Sequence, residues 1–464
     1  MEPTIETKAT ERLIMETLGL ELGYALDTFY FLVCAALVMW MAAGFAMLEA
    51  GLVRGKNTVE ILNKNALLYG VACVAYLVVG YNIMYPGDPV NSVIPGLDFL
   101  LGPDNATDDV VAGGEGAPYY SSMSDFMFQV VFAAATMSIV SGAVAERMRL
   151  WPFLAFAVVM VSVIYPVEGY WKWGGGFLDQ LGFQDFAGSV VVHMAGASAA
   201  LAAVILVGPR KGKFGPNGEV YAIPGANLPM ATLGMFILWM GWFGFNGGSE
   251  LKIANVEEAN AVAKVFVNTN AAAAGGMIVA ALIARLRFGK TDLTMTINGA
   301  LAGLVAITAE PLLPSAGAAT LIGAVGGAVV VFSVLLLDRL RLDDPVGAIS
   351  VHGTAGIWGI FAVLFTNPAA TFTGQLIGTV VTFAWMFLAS FIVLYVIKKT
   401  IGLRVSDEEE HSGMDVFECG MAAYPEFMVT SLSDLGSPSS GKAVKASAQH
   451  AQGHLAAPGN PISS

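Results

Sequence analysis

Apolar runs of about 20 residues follow one another along this chain, each long enough to cross a hydrocarbon core of roughly 30 Å. Bounded by charges, Pro and Gly, they fall at residues 28–50, 60–84, 124–145, 151–172, 186–208, 227–248, 260–284, 293–309, 317–337, 345–366 and 373–397. A helix pairs its own backbone groups, which lipid requires. With 56% hydrophobic and 13% charged residues, the chain has about half the charge of a soluble protein. The fold class is therefore all-α and polytopic, about eleven transmembrane helices spread over residues 28–400. Residues 1–27, with Glu2, Glu6, Glu11, Glu16 and Glu21 and no sustained apolar core, read as a polar N-terminal extension rather than a cleavable signal. Residues 401–431 form a polar tail, and the Ser-, Gly-, Ala- and Pro-rich stretch 432–464 is predicted to be disordered. The net charge of −13 lies largely in loops and tails and gives no reason to expect a nucleic-acid partner. Cys34, Cys73 and Cys419 make no disulfide or metal framework.

Lys and Arg near span ends are retained on the cytoplasmic side. Alternate connections carry Arg54 and Lys56; Arg147 and Arg149; Arg210, Lys211 and Lys213; Arg285, Arg287 and Lys290; Arg339 and Arg341; and Lys398, Lys399 and Arg404. Residues 86–122, by contrast, hold Asp88, Asp98, Asp104, Asp108, Asp109 and Glu115 with no Lys or Arg. The alternation predicts an outside N-terminus and a cytoplasmic C-terminus, in agreement with an odd number of spans.

One signature occurs twice: Asp185, Gly188 and His193 in span five, and Asp344, Gly347 and His352 at the same spacing in span ten. No other histidine precedes residue 400. An offset of five spans turns the second copy upside down, the mark of an inverted repeat in transporter folds. Eight residues of helix carry each His roughly 12 Å below its own surface. In a core about 30 Å thick the two imidazoles are then separated by about 6 Å along the normal. An isolated intramembrane His is as easily a satisfied interior residue, but two at mirrored depth point to a pathway. The aspartates have an ordinary use as helix caps.

The spans offer no cluster of carboxylates for a dehydrated metal-like cation, and Lys64 and Glu49, near the cytoplasmic ends of spans two and one, are expected to snorkel or pair. A substrate that sheds a proton and crosses neutral, with imidazole relaying the proton, fits two intramembrane histidines better. Phe128 and Phe132 share a face of span three, Trp173 ends span four, and span six ends in Trp242-Phe243-Gly244-Phe245-Asn246 ahead of Ser249. Such ring faces with one hydroxyl would gather a small monovalent cation. Taken singly, each is also ordinary packing or interfacial belt.

The stretches Asp185–His193 and Trp242–Asn246, together with Asn298-Gly299-Ala300-Leu301-Ala302-Gly303 and Val351-His352-Gly353, resemble the ammonium transporter family of the bacterial Amt type. Gly44–Gly51 and Ser141–Arg147 resemble its first- and third-span motifs, and the resemblance covers roughly residues 28–425. It implies a homotrimer in the inner (plasma) membrane with a pore in each subunit, five-helix inverted halves and an outer eleventh helix. It implies recruitment of ammonium at Phe128, Trp173 and Ser249, a gate of Phe132 and Phe245, pore histidines His193 and His352, and Asp185 in support, with Asp344 a structural cap. No cofactor is implied. The segment from Arg404 to Val416 resembles the family's cytoplasmic tail, which implies a PII-type nitrogen signal protein as partner, although Cys419 and Met421 depart from the usual tail pattern. Two other classes stay open. An ammonium sensor would signal through the tail, and a Rhesus-like channel would pass neutral gas. An intramembrane hydrolase built on Ser249 and His193 is disfavoured, because the repeat duplicates a base and not a nucleophile.

Overall fold

A computed structural model describes residues 5–114 and 116–425, so the stretch 432–464 and residues 426–431 of the tail lie outside the described residues. Each of the eleven apolar windows holds a helix. They are α1 Ile5–Leu52, α2 Gly55–Met84, α3 Ser122–Ala143, α4 Leu150–Gln180, α5 Ser189–Val207, α6 Leu228–Gly248, α7 Val256–Phe288, α8 Leu293–Ile307, α9 Ala316–Arg339, α10 Ile349–Phe365 and α11 Phe372–Thr400. Among the described residues nine are long and apolar enough to cross a membrane, and α8 and α10 are shorter apolar helices. This is a multi-pass membrane protein. The stretch read as a polar extension is helical from Ile5 and enters the first span without a break. It holds good helix formers and an Arg12–Glu16 pair at 2.8 Å, one turn apart.

The helix starts follow from side chains. Ser121, Asn227, Asn255, Asp292, Ser315 and Thr371 each accept a backbone N–H from the first turn of the helix they precede. Between helices in lipid the hydrophobic effect offers little, and close packing of small residues replaces it. Helices α7, α8 and α9 show this: a Cβ on Gly276 would overlap the carbonyl oxygen of Gly299, and one on Gly327 the carbonyl oxygen of Gly276. Their backbones touch.

Four helices contain a wider, π-helical turn that periodicity did not anticipate: Tyr76–Gly80, Met160–Ile164, Ser189–Met194 and Ile349–Thr354. The last two carry the histidines.

Arg147, Arg210, Lys211, Lys213 and Arg404 gather at one face, the base. Arg210 grips Asp343 with Nε on Oδ2 and Nη2 on Oδ1, both 2.9 Å, while its own N–H donates to Oδ2 at 2.8 Å. Arg147, fully buried, donates from Nη2 to the Asp343 carbonyl at 2.6 Å. The described residues of the tail dock on this base. Glu410 accepts the Lys211 N–H and pairs with Arg404, both at 2.6 Å, and Asp415 accepts the Glu60 N–H at 2.9 Å. Of the two roles expected for Lys64, snorkelling or pairing, the structure shows pairing: it is fully buried and pairs with Glu60 at 2.7 Å. Glu49 is also buried, and no cation pairs with it among the described residues.

Two measurements check this frame. Gly327→Ala must push apart backbones that touch and is expected to lower unfolding stability by about 1–3 kcal/mol in a detergent thermal melt. Burial raises the Asp343 carboxyl, but the bond and charge of Arg210 and the charge of Arg147 outweigh it and bring it down to about 2. A depressed folded value stabilises the protein above the unfolded value near 4 and is lost as pH falls toward 2. Asp343→Asn should therefore flatten stability between about pH 4 and 2, and an unchanged slope would remove Asp343 from the base's electrostatics.

Candidate functional site

The repeated signature is a device for starting a helix inside protein. The Asp185 carboxylate accepts four backbone N–H groups, from Gly188 (3.2 Å), Ser189 (2.8 Å), Val190 (2.8 Å) and Val191 (2.9 Å). Asp344 accepts three, from Gly347 (3.1 Å), Ala348 (3.0 Å) and Ile349 (2.7 Å). These are the orphan donors of a helix start, and carboxylates suit the positive end of the dipole. Between cap and helix the chain turns at Gly188 (φ 105°) and Gly347 (φ 81°), in the left-handed region that favours glycine. The π turn follows in both copies.

Asp185 lies at the face of Trp173, whereas Asp344 borders the base with Arg210 and Lys213. The two helices thus enter from opposite faces and meet: His193 Nδ1 and His352 Nδ1 are 3.2 Å apart, with ring centroids at 5.1 Å. One nitrogen donates and the other accepts, so the pair shares a proton between two neutral rings. His193 Nε2 is buried with no partner among the described residues.

Rings continue from the histidines to the Trp173 face. His193 stacks on Phe245 (5.2 Å) and Trp242 (4.9 Å), Phe245 on Phe132 (4.1 Å, 26° between planes), and Phe132 meets Phe128 at 4.7 Å. Trp242 is anchored by its indole N–H to Thr308 Oγ1 at 2.8 Å. The contact between Phe132 and Phe245 lies between the histidines and the Trp173 face. Beyond it opens a cavity of about 440 Å³ that Phe128, Phe132, Trp173 and Ser249 help to line. Trp173 donates from its indole to the Asp185 carbonyl at 3.2 Å, and Ser249 donates to the Phe245 carbonyl at 2.8 Å, leaving its lone pairs free to accept.

On the other side of the pair, His352 faces Phe45 at 6.2 Å. Here His352, Glu49, Ser138 and Asn298 help to line a cavity of about 10 Å³, room for one water. Asn298 and Val346 border both this cavity and a second one of about 440 Å³ that opens at the base. The nine residues singled out from sequence therefore fall on one axis, seven along it and the two aspartates capping the helices that hold the histidines.

Sequence reasoning missed Asp125. It is buried, borders the outer cavity, and accepts the Tyr81 hydroxyl at 2.6 Å. Its signal was its register, one turn before Phe128 and two before Phe132 on α3. Trp242 and Phe45 were visible in motifs, but their contact with imidazole was not. Glu310, an acid for which the sequence suggests no role, accepts the Leu313 N–H at 3.2 Å and the Asn367 amide at 2.7 Å, so it ties the turn after α8 to the turn after α10.

Comparison with known proteins finds relatives over most of the chain. A profile of the Ammonium Transporter Family matches residues 29–424. The chain is 40% identical over 445 residues to ammonium transporter Amt2 of Archaeoglobus fulgidus, covering 89% of this chain and 92% of that one. It is 33% identical over 424 residues to an ammonium transporter of Bacillus subtilis, covering 87% and 98%. Among solved structures it resembles a sensor Amt protein with a TM-score of 0.79 at 33% identity, covering 86% and 99%. Mep2 of Candida albicans superposes with a TM-score of 0.73 at 27% identity, covering 84% and 88%.

The caps give a direct test. Asp185→Asn turns one acceptor oxygen into a donor facing backbone N–H groups, and is expected to cost about 1–3 kcal/mol, with Asp344→Asn costing the same or less. Thermal melts of the two purified variants read both, and a D185N protein as stable as wild type would mean that the carboxylate is not what starts α5.

Proposed function

Because this chain belongs to the ammonium transporter family, we propose that it takes up ammonium by splitting it into ammonia and a proton at the outer cavity and moving the two past paired histidines. The observation that carries this proposal is the unbroken column from Phe128 through Phe132, Phe245 and His193 to His352. A cation entering it would lose its hydration against ring edges and neutral imidazole, at a cost of several kcal/mol. Ammonia carries no such charge penalty.

In this mechanism the faces of Phe128 and Trp173 attract the cation, the Ser249 lone pairs accept one of its N–H groups, and Asp125 adds negative potential. The proton leaves the ammonium nitrogen, and ammonia slips past Phe132 and Phe245 when a ring rotates. The two imidazoles pass the proton across the Nδ1 to Nδ1 contact, one nitrogen giving as the other receives. Ammonia is protonated again at the base. Asp185 acts through position, since it starts α5 and its carbonyl holds Trp173. Asp344 starts α10 in the same way. The outer cavity faces outside and the base faces the cytoplasm of the inner (plasma) membrane, as the basic connections suggest. Three subunits with a pore each, and a PII-type protein at the base, complete the reading that the family suggests. A sensor role has one observation in its favour, the docked tail of a chain resembling a sensor Amt protein.

Purified protein in liposomes on a solid-supported membrane separates these. An ammonium jump is expected to produce a current in wild type, and uptake without current would reject charge movement. In the His193→Ala, His352→Ala double variant the ammonium-selective current is expected to fall by about a hundredfold, or to persist with lost selectivity against K⁺. An unchanged selective current in that variant overturns the relay.

A further inference from the structure

We propose that Glu49 is the group that takes the proton from the histidine pair and delivers it toward the base, a role resting on the transport reading above. Three observations place it there. Its side chain, 1% exposed on α1, lines the same water-sized cavity as His352. Its carboxylate is held in an aimed position, with Oε1 accepting the Ser141 hydroxyl at 2.7 Å and Oε2 the Asn65 amide at 2.9 Å. The neighbouring backbone makes room for it, since a Cβ on Gly142 would meet Oε1 at 3.3 Å and overlap Val346.

The bland role for a buried acid is half of an ion pair, and the surroundings do not supply one. The charged groups on α2 are Lys56, Glu60 and Lys64; Lys56 donates to the Glu410 carbonyl of the tail at 3.1 Å, and Lys64 directs its charge at Glu60 at 2.7 Å and donates to the Met148 carbonyl at 3.1 Å. α3 contributes Ser138 and Ser141, α8 Asn298, and α10 only His352. A buried carboxylate without a cation is costly, and in a cavity shared with an imidazole its distinctive property is that it can hold or release a proton. The Asn298 carbonyl oxygen, buried without a partner among the described residues, borders the same cavity and orients a water there.

The step balances. A ring nitrogen of His352 releases a proton to the single water, which passes one of its own to a Glu49 oxygen. The carboxyl then gives its proton to ammonia or water arriving from the larger cavity that shares Asn298 and Val346, and the carboxylate is restored. Nothing is oxidised or reduced.

The test uses full-length protein in liposomes, with ammonium-jump currents beside thermal melts. Glu49→Gln keeps the size and an acceptor but not the titratable group, and its current is expected to drop by about tenfold or more at an unchanged melting temperature. Glu49→Asp keeps the group and is expected to retain more current than Glu49→Gln. A folded Glu49→Gln protein with wild-type current overturns the Glu49 assignment and leaves the transport reading standing, as do equal losses in both variants. No current in wild type overturns both. If Glu49→Gln does not fold, infrared difference spectra of wild type decide. A protonated-carboxyl band that arises with ammonium and shifts in D₂O supports the proposal, and its absence under the same current overturns it.

Discussion

Two helices that begin inside the protein, from opposite faces, are the constraint on which everything else rests. A helix start buried away from water leaves several N–H groups unpaired, each costing a sizeable share of a protein's net stability. Asp185 and Asp344 cover seven of those groups between them. With the starts fixed and a left-handed glycine setting each direction, the depth of each histidine is no longer adjustable. The 3.2 Å contact between imidazoles follows from caps placed eight residues away. Trp242 and Phe245 then clamp His193 so that the ring cannot turn out of line.

Selectivity in such an axis comes from what it withholds. Next to the cavity at the Trp173 face there are hydroxyl, carboxylate and ring faces, with Lys172 paired to Asp179 at 2.6 Å. At the Phe132–Phe245 contact all of that stops within one ring's thickness. The abruptness matters, because a gradual decline in polarity would let a hydrated ion shed water stepwise. Among the described residues the polar groups past that contact are the two imidazoles and, beyond His352, Glu49 and Asn298. On the transport reading proposed above, charge would be held in the cavity and only a neutral species would fit between the rings.

Much of this was legible in the sequence because it rests on local rules. Each apolar window read from hydropathy holds a helix, and the repeated Asp, Gly and His spacing picked out two histidines that lie 3.2 Å apart. What stayed hidden depends on contacts between distant segments. The π turns at Ser189–Met194 and Ile349–Thr354 have no compositional mark, since Val-rich and small-residue runs fit an α-helix equally well. Lys64 and Glu49 were expected to snorkel or pair, but the sequence does not reveal that Glu60, one turn before Lys64, is buried beside it as the partner. Asp125 sat at a helix start, where an acid needs no further explanation, and only the cavity wall gave it one.

The glycine contacts among α7, α8 and α9 carry a kinetic consequence. α1 and α6 touch in the same way, since a Cβ on Gly51 would overlap the Ala231 nitrogen and one on Gly234 the Leu48 nitrogen, so these helices have no cushion of side chains to compress and little freedom to slide past one another. Exposure of a central site first to one side and then to the other, the usual cycle of a carrier, is poorly suited to such a frame. The moving parts left are the rotors of the axis, Phe132 and Phe245 above all, whose rotations are small and local. On the transport reading proposed above, aromatic side chains turning within a fixed scaffold would set the pace of throughput.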